Sequence, residues 1–218
     1  MSRTDQEYIS QFATIKNSKK AKQLWWYPYL LKMSNEVFIE NMKQFDIIDK
    51  DKSGSLDLNE LKQTKLLDNQ IKLPSETIER LLRAFVLSNE SEENETIDNI
   101  EYIGLISFLV ECSQTFSDKD VDNSGSLELS ECKKGAFDFI VKGISDLSVE
   151  ILFELNGVQI RGKDERSLNR IQFVGCCAYL SQCYSIFQKT LEIDRHVLEK
   201  KKDAFTKFIE MLLVIAQK

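Results

Sequence analysis

Two twelve-residue segments, DKDKSGSLDLNE at 49–60 and DVDNSGSLELSE at 120–131, repeat one arrangement of oxygen-bearing side chains around a central glycine. Each has an acid at positions 1 and 3, Ser at 5, Gly at 6, an acid at 9 and Glu at 12. Such a segment cannot continue a regular helix or strand. The glycine lets the chain turn, and alternate positions then converge on one centre. Only a hard cation that takes about seven oxygens makes use of that many acceptors at that spacing.

The segments match the EF-hand calcium loop, and each residue takes a role from its position. Asp49, Asp51 and Ser53 offer side-chain oxygens, Ser55 a backbone carbonyl, Asp57 a direct or water-mediated contact, and Glu60 a bidentate carboxylate. Asp120, Asp122, Ser124, Ser126, Glu128 and Glu131 repeat the set. Position 5 is Ser where Asp or Asn is usual, so each loop has four carboxylates and one neutral hydroxyl. Leu56 and Leu127 at position 8 point to the core from a short strand that pairs one hand with its neighbour. Phe38, Met42 and Phe45 at helical spacing predict an entering helix before the first loop, with Ser34 as its cap. The expectation is two calcium ions per chain, in the broad sensor range of roughly 10⁻⁷ to 10⁻⁵ M.

Composition agrees with an all-α fold. With 2 Pro and 8 Gly in 218 residues and few alternating β-branched runs, little interrupts helix formation. The net charge of −6 gives no electrostatic reason to bind nucleic acid. Five cysteines lack metal-ligand spacing, and the first twenty residues hold no apolar run resembling a leader, which together predict a reducing, cytoplasmic setting. The apolar stretch 208–216 is too short to span a bilayer. A lone His196, and no Gly-rich phosphate loop, nucleophile elbow or HExxH, predict a chain that is not an enzyme.

The two loops start 71 residues apart, room for a further unit between them, and a lone hand leaves its strand unpaired. Residues 89–101 (NESEENETIDNIE) predict that partner, a loop without the turn glycine that does not hold calcium, with Ile97 in the strand position and Phe85 on its entering helix. YIGLISFLVECSQTF at 102–116 is apolar nearly all round, a helix that two hands share. The pattern recurs with a basic degenerate loop at 157–172, Leu168 in the strand position, and a second all-round apolar helix at 173–187. A degenerate fifth unit at 188–207 and an amphipathic helix with Phe205, Phe208, Ile209, Leu212 and Leu213 complete the chain.

Five helix–loop–helix units with two shared helices resemble the penta-EF-hand family over about residues 35–218, carried by the long helix before Asp120 and by IQFVGCCAYL at 171–180. The resemblance implies an EF-hand array at 34–218 with two-residue strand pairings, preceded by a helical extension at 1–33. It implies calcium at the first and third hands, a homodimer through the fifth, and calcium-dependent movement to membranes or protein partners. The chain departs from the family in lacking a Gly/Pro-rich extension and in its unusually degenerate second and fifth loops. A less specific likeness to the grainins implies association with intracellular granules or vesicles.

Several features have two readings. Trp25, Trp26, Tyr27, Pro28 and Tyr29 form either a partner-binding surface or, more commonly, the contact that packs the extension onto the domain. Cys176, Cys177 and Cys183 read as inert core, and the charged run at 199–203 as a solvated face. The dimer expectation rests on an unpaired fifth hand offering Phe205, Phe208, Ile209 and Leu212; the alternative folds that helix back on its own chain. The functional readings are a calcium sensor or adaptor, a calcium buffer or store, and a non-catalytic subunit of a larger enzyme. Only four methionines argue against a calmodulin-like groove.

Overall fold

Short polar side chains start the helices where the sequence allows them to. The Thr4 hydroxyl accepts from the Glu7 amide while Glu7 Oε2 accepts from the Thr4 amide, a reciprocal cap that opens α1 (Asp5–Asn17). Ser34, the expected cap, accepts from Val37 N at 3.3 Å and opens α4 (Asn35–Ile48). The computed structural model describes residues 4–66, 71–86, 96–159, 166–190 and 202–216. It forms two units, 1–111 and 112–218, and the boundary falls inside a long helix.

The first unit continues with α2 (Lys19–Gln23) and α3 (Tyr27–Lys32) between α1 and α4. After the first loop come β1 (Ser55–Leu56), α5 (Leu58–Lys62), α6 (Ser75–Phe85), β2 (Ile97–Asp98) and α7 (Asn99–Lys119). The strands β1 and β2 pair antiparallel with Leu56 opposite Ile97, both fully buried. Hands one and two therefore form a pair, as the strand positions predict. Phe38, Met42 and Phe45 are buried along α4, and α7 covers the expected shared helix with about one further turn at each end. Residues 87–95, most of the second loop, lie outside the described residues.

The aromatic cluster at 25–29 belongs to the core, which decides between its two readings. Trp25 packs on Phe85 and Phe108 at ring-centroid distances of 5.0 and 5.6 Å and donates Nε1 to the Ala84 carbonyl. Trp26 is completely buried against α7, where Gly104 makes room for it: a Cβ at that position would lie 2.7 Å from the indole ring. Its Nε1 is buried without a hydrogen-bond partner among the described residues. Farther out, Phe12 of α1 stacks on Phe38 of α4 at 4.2 Å, and Tyr8 donates to Asp46 Oδ2 at 2.7 Å. Helices α1 to α3 are thus integral to the first unit.

In the second unit, β3 (Ser126–Glu128) leads into α8 (Leu129–Cys132), α9 (Asp146–Asn156), β4 (Val158–Gln159), β5 (Arg166–Asn169), α10 (Arg170–Thr190) and α11 (Lys202–Ala216). Leu127 pairs with Leu168, both fully buried, so hands three and four form the second pair. The pairing is larger than the two residues expected. The order is β3-β5-β4, because β4 folds back on β5 with Val158 opposite Ser167. A long loop needs partners for its own backbone groups, and this added strand supplies them. Residues 160–165 of that loop lie outside the described residues.

The last helix packs within its own unit, against α9 and α10. Phe205 is buried with its ring 4.7 Å from Tyr184 and 5.2 Å from Phe187, and Ile209 is fully buried. This corrects the premise of the dimer expectation, since half of the proposed face is covered in cis by neighbouring aromatics. Phe208 and Leu212 are half-buried and Met211 is exposed. The connecting segment 191–201, with His196, Leu191, Leu198 and most of the charged run at 199–203, lies outside the described residues, as does the side chain of Leu213.

Candidate metal centres

Both twelve-residue loops adopt the same backbone. Position 4 takes a left-handed conformation in each, Lys52 at φ 57° and Asn123 at φ 55°, followed by Gly54 at 83° and Gly125 at 77°. Those positive φ values curl the chain so that successive amides point inward. Asp49 Oδ1 accepts from Ser53 N and Oδ2 from Gly54 N, both at 3.0 Å; Asp120 receives Ser124 N at 2.9 Å and Gly125 N at 3.0 Å. The position 3 carboxylates also accept the position 5 amide at 3.0 Å in each loop. These amides hold Asp51 and Asp122 below the usual carboxylate range, with help from the same serine hydroxyls.

The position 12 glutamates are clamped. Glu60 accepts from Lys50 N at 3.0 Å and Asp57 N at 3.1 Å, and Glu131 accepts from Val121 N at 3.1 Å and Glu128 N at 3.0 Å. Both carboxylate oxygens of each glutamate are therefore turned back over the loop. The sequence did not point to the position 2 amides of Lys50 and Val121 as the holders, because a backbone donor leaves no side-chain signature.

The fit to a hard cation can be tested on the oxygens themselves. One carboxylate oxygen each from Asp49, Asp51 and Glu60 lie within 4.8 Å of one another, and so do those of Asp120, Asp122 and Glu131. Oxygens on a shell of radius about 2.3–2.6 Å are separated by at most about 5 Å, so each triad fits around one calcium-sized ion. Ser53 Oγ lies 2.9 Å from the Ser55 carbonyl and Ser124 Oγ 2.8 Å from that of Ser126, which places positions 5 and 7 side by side. Asp57 and Glu128 stand outside the two triads. Asp57 instead accepts the Glu60 amide at 2.8 Å as the cap of α5, consistent with a water-mediated role.

The even-numbered hands keep the clamp, and among the described residues no carboxylate triad accompanies it there. Glu101 accepts from Asp98 N at 2.8 Å, as Gln172 Oε1 does from Asn169 N at 2.8 Å. The same reciprocal cap thus closes all four strand-to-helix turns, while Gln172 puts a neutral amide where loops one and three put a carboxylate. The five cysteines are free thiols and all are buried. Burial, with the Glu131 charge adding to it, pushes Cys132 up to about 12, and burial beside Cys112 raises Cys177.

No family model matches the sequence, and no curated protein matches it. Among solved structures, a homologue of programmed cell death 6 protein from Leishmania major Friedlin is similar to this chain at 22% identity. The match covers 61% of this chain and 68% of that one, with a TM-score of 0.42. At this identity and score the likeness transfers no property to the present chain; the helix–loop–helix pairs and their oxygen triads stand on their own geometry.

Proposed function

We propose that this chain binds two calcium ions, one in 49–60 and one in 120–131, and acts as a calcium sensor or adaptor. The observation that carries the reading is the pair of carboxylate triads, each within 4.8 Å, on loops of one backbone geometry. Calcium supplies charge and a demand for about seven oxygens. Glu60 and Glu131 then tie α5 and α8 to their loops. Two ions would also change the formal charge from −6 to about −2, reducing self-repulsion and favouring a partner or an anionic surface.

No helix among the described residues is long and apolar enough to cross a membrane, and the proposed role is that of a non-catalytic protein that docks reversibly, in the cytoplasm or at granules. A homodimer through this helix would draw on the exposed Met211 and on the half-buried Phe208 and Leu212, although Phe208 also packs on Phe187 at 5.2 Å in its own chain. The buffer reading is favoured by a specific observation: the apolar sides of both hand pairs are covered, by Trp25 and Trp26 in the first unit and by α11 in the second.

Calorimetry should find two sites, with Glu60→Gln and Glu131→Gln each deleting one. None at millimolar calcium, or four, would overturn the reading. An environment-sensitive dye that brightens with calcium supports the sensor; equal fluorescence in calcium and in chelator supports the buffer. Light scattering after size exclusion, with Phe208→Asp as the disrupting variant, decides the dimer.

A further inference from the structure

The two loops share every proposed ligand type except Asp for Glu at position 9, yet differ at positions 2 and 4, where the first has Lys50 and Lys52 and the second Val121 and Asn123. We infer that the loops fill in order, 120–131 first and 49–60 second, because the two lysines oppose the incoming divalent charge. The inference rests on the calcium-binding reading above.

Each loop has four carboxylates, but the lysines cut the first loop's formal charge to −2 against −4 in the second. The ammonium of Lys50 is held on Gln63, one turn beyond Glu60 on the exiting helix, so it stays beside the carboxylate that would grip the ion. At position 2 of the other loop Val121 carries no charge. Of the flanking lysines, Lys133 is paired with Glu150 and Lys62 with Glu79, while Lys119, whose ammonium donates to the neutral Lys134 carbonyl, and Lys134 keep their charge beside the second loop and offset the difference only in part, since they lie outside its twelve residues.

Two further observations point the same way. Position 4 is left-handed in both loops, and Asn tolerates that conformation better than Lys. Glu131 is 7% exposed whereas Glu60 is half-buried, so the uncompensated charge of Glu131 is the costlier one until a cation arrives. A lysine about 10 Å from a divalent ion weakens binding roughly two- to fourfold at low salt, so the pair should separate the sites by about four- to sixteenfold.

The amides of Gly54 and Gly125, each donating to the position 1 carboxylate, allow both loops to be followed in the unmodified chain by NMR. During calcium titration at low salt, Gly125 should shift first and Gly54 at about four- to sixteenfold higher calcium, with the gap narrowing as potassium chloride is raised. The double variant Lys50→Gln and Lys52→Gln, which removes charge at exposed positions, should bring the two midpoints to within about twofold. Simultaneous or reversed filling would overturn the inference, as would a gap that the double variant leaves unchanged. If neither glycine moves in millimolar calcium, the calcium reading itself fails, and the ordering with it.

Discussion

The two units close the same kind of hand pair from opposite ends of the chain. In the first, the helices before hand one bring Trp25 and Trp26 onto α6 and α7; in the second, the helix after hand four lays Phe205 and Ile209 on α9 and α10. Both solutions answer one need, since two loops joined by a short β-pair leave an apolar side that the pair cannot cover itself. They differ in tolerance. A rigid indole seated over a glycine fits in one way, whereas an amphipathic helix carrying an exposed Met211 can adjust its seat.

The strongest way to break the comparison is to remove each cover. Trp26→Ala should cost about 4 kcal/mol and Phe205→Ala about 3 kcal/mol, measured by denaturant unfolding, with each loss confined to amide-exchange protection in its own unit. Equal losses of protection in both units after either change would mean that the covers are not separate. Next in size, Gly104→Ala puts a methyl 2.7 Å from the Trp26 ring, and the clash should exceed the gain in helix propensity to leave a net cost of about 1–2 kcal/mol. A stabilised variant would show that the indole is free to shift.

Chemical modification separates the second unit's interior from its surface. The thiolate is the reactive form, and Cys132 and Cys177 are both held toward the neutral thiol, so an alkylating reagent at pH 8 should leave them intact until denaturant is added. Labelling of the native chain would contradict the closed seat of α10.

The smallest effect concerns Asp51 and Asp122, which the comparison expects to behave alike. Because their folded-state values are depressed, they favour the folded loop above the ordinary Asp range, and that contribution is lost as pH falls through the lowered value. Carboxyl NMR titration should place both midpoints below the usual value of about 3.9.

What could be read in the sequence divides along the same line. The loops were legible because their ligands lie within twelve residues, and the strand partners because Leu56, Ile97, Leu127 and Leu168 sit at fixed offsets from those loops. The seat of Trp26 was not, because the glycine that admits it lies 78 residues away on a helix whose apolar residues surround it on all sides. Nor was the backing of α11, whose stripe fits a second copy of the chain as well as its own α10. Strand β4 has only two residues, too few for alternation to be seen.

The placement of the tryptophans also divides the molecule optically. The chain has only two, side by side and buried in the first unit, and none beyond residue 26. Emission excited at the red edge of the indole band therefore arises from the first unit, with Trp26 contributing a buried nitrogen that has no hydrogen-bond partner among the described residues. Followed by that emission alone, a calcium titration would report what reaches α6 and α7, the helices on which the two indoles rest. A tryptophan placed at the exposed Met211 of α11 would give the second unit a signal of its own.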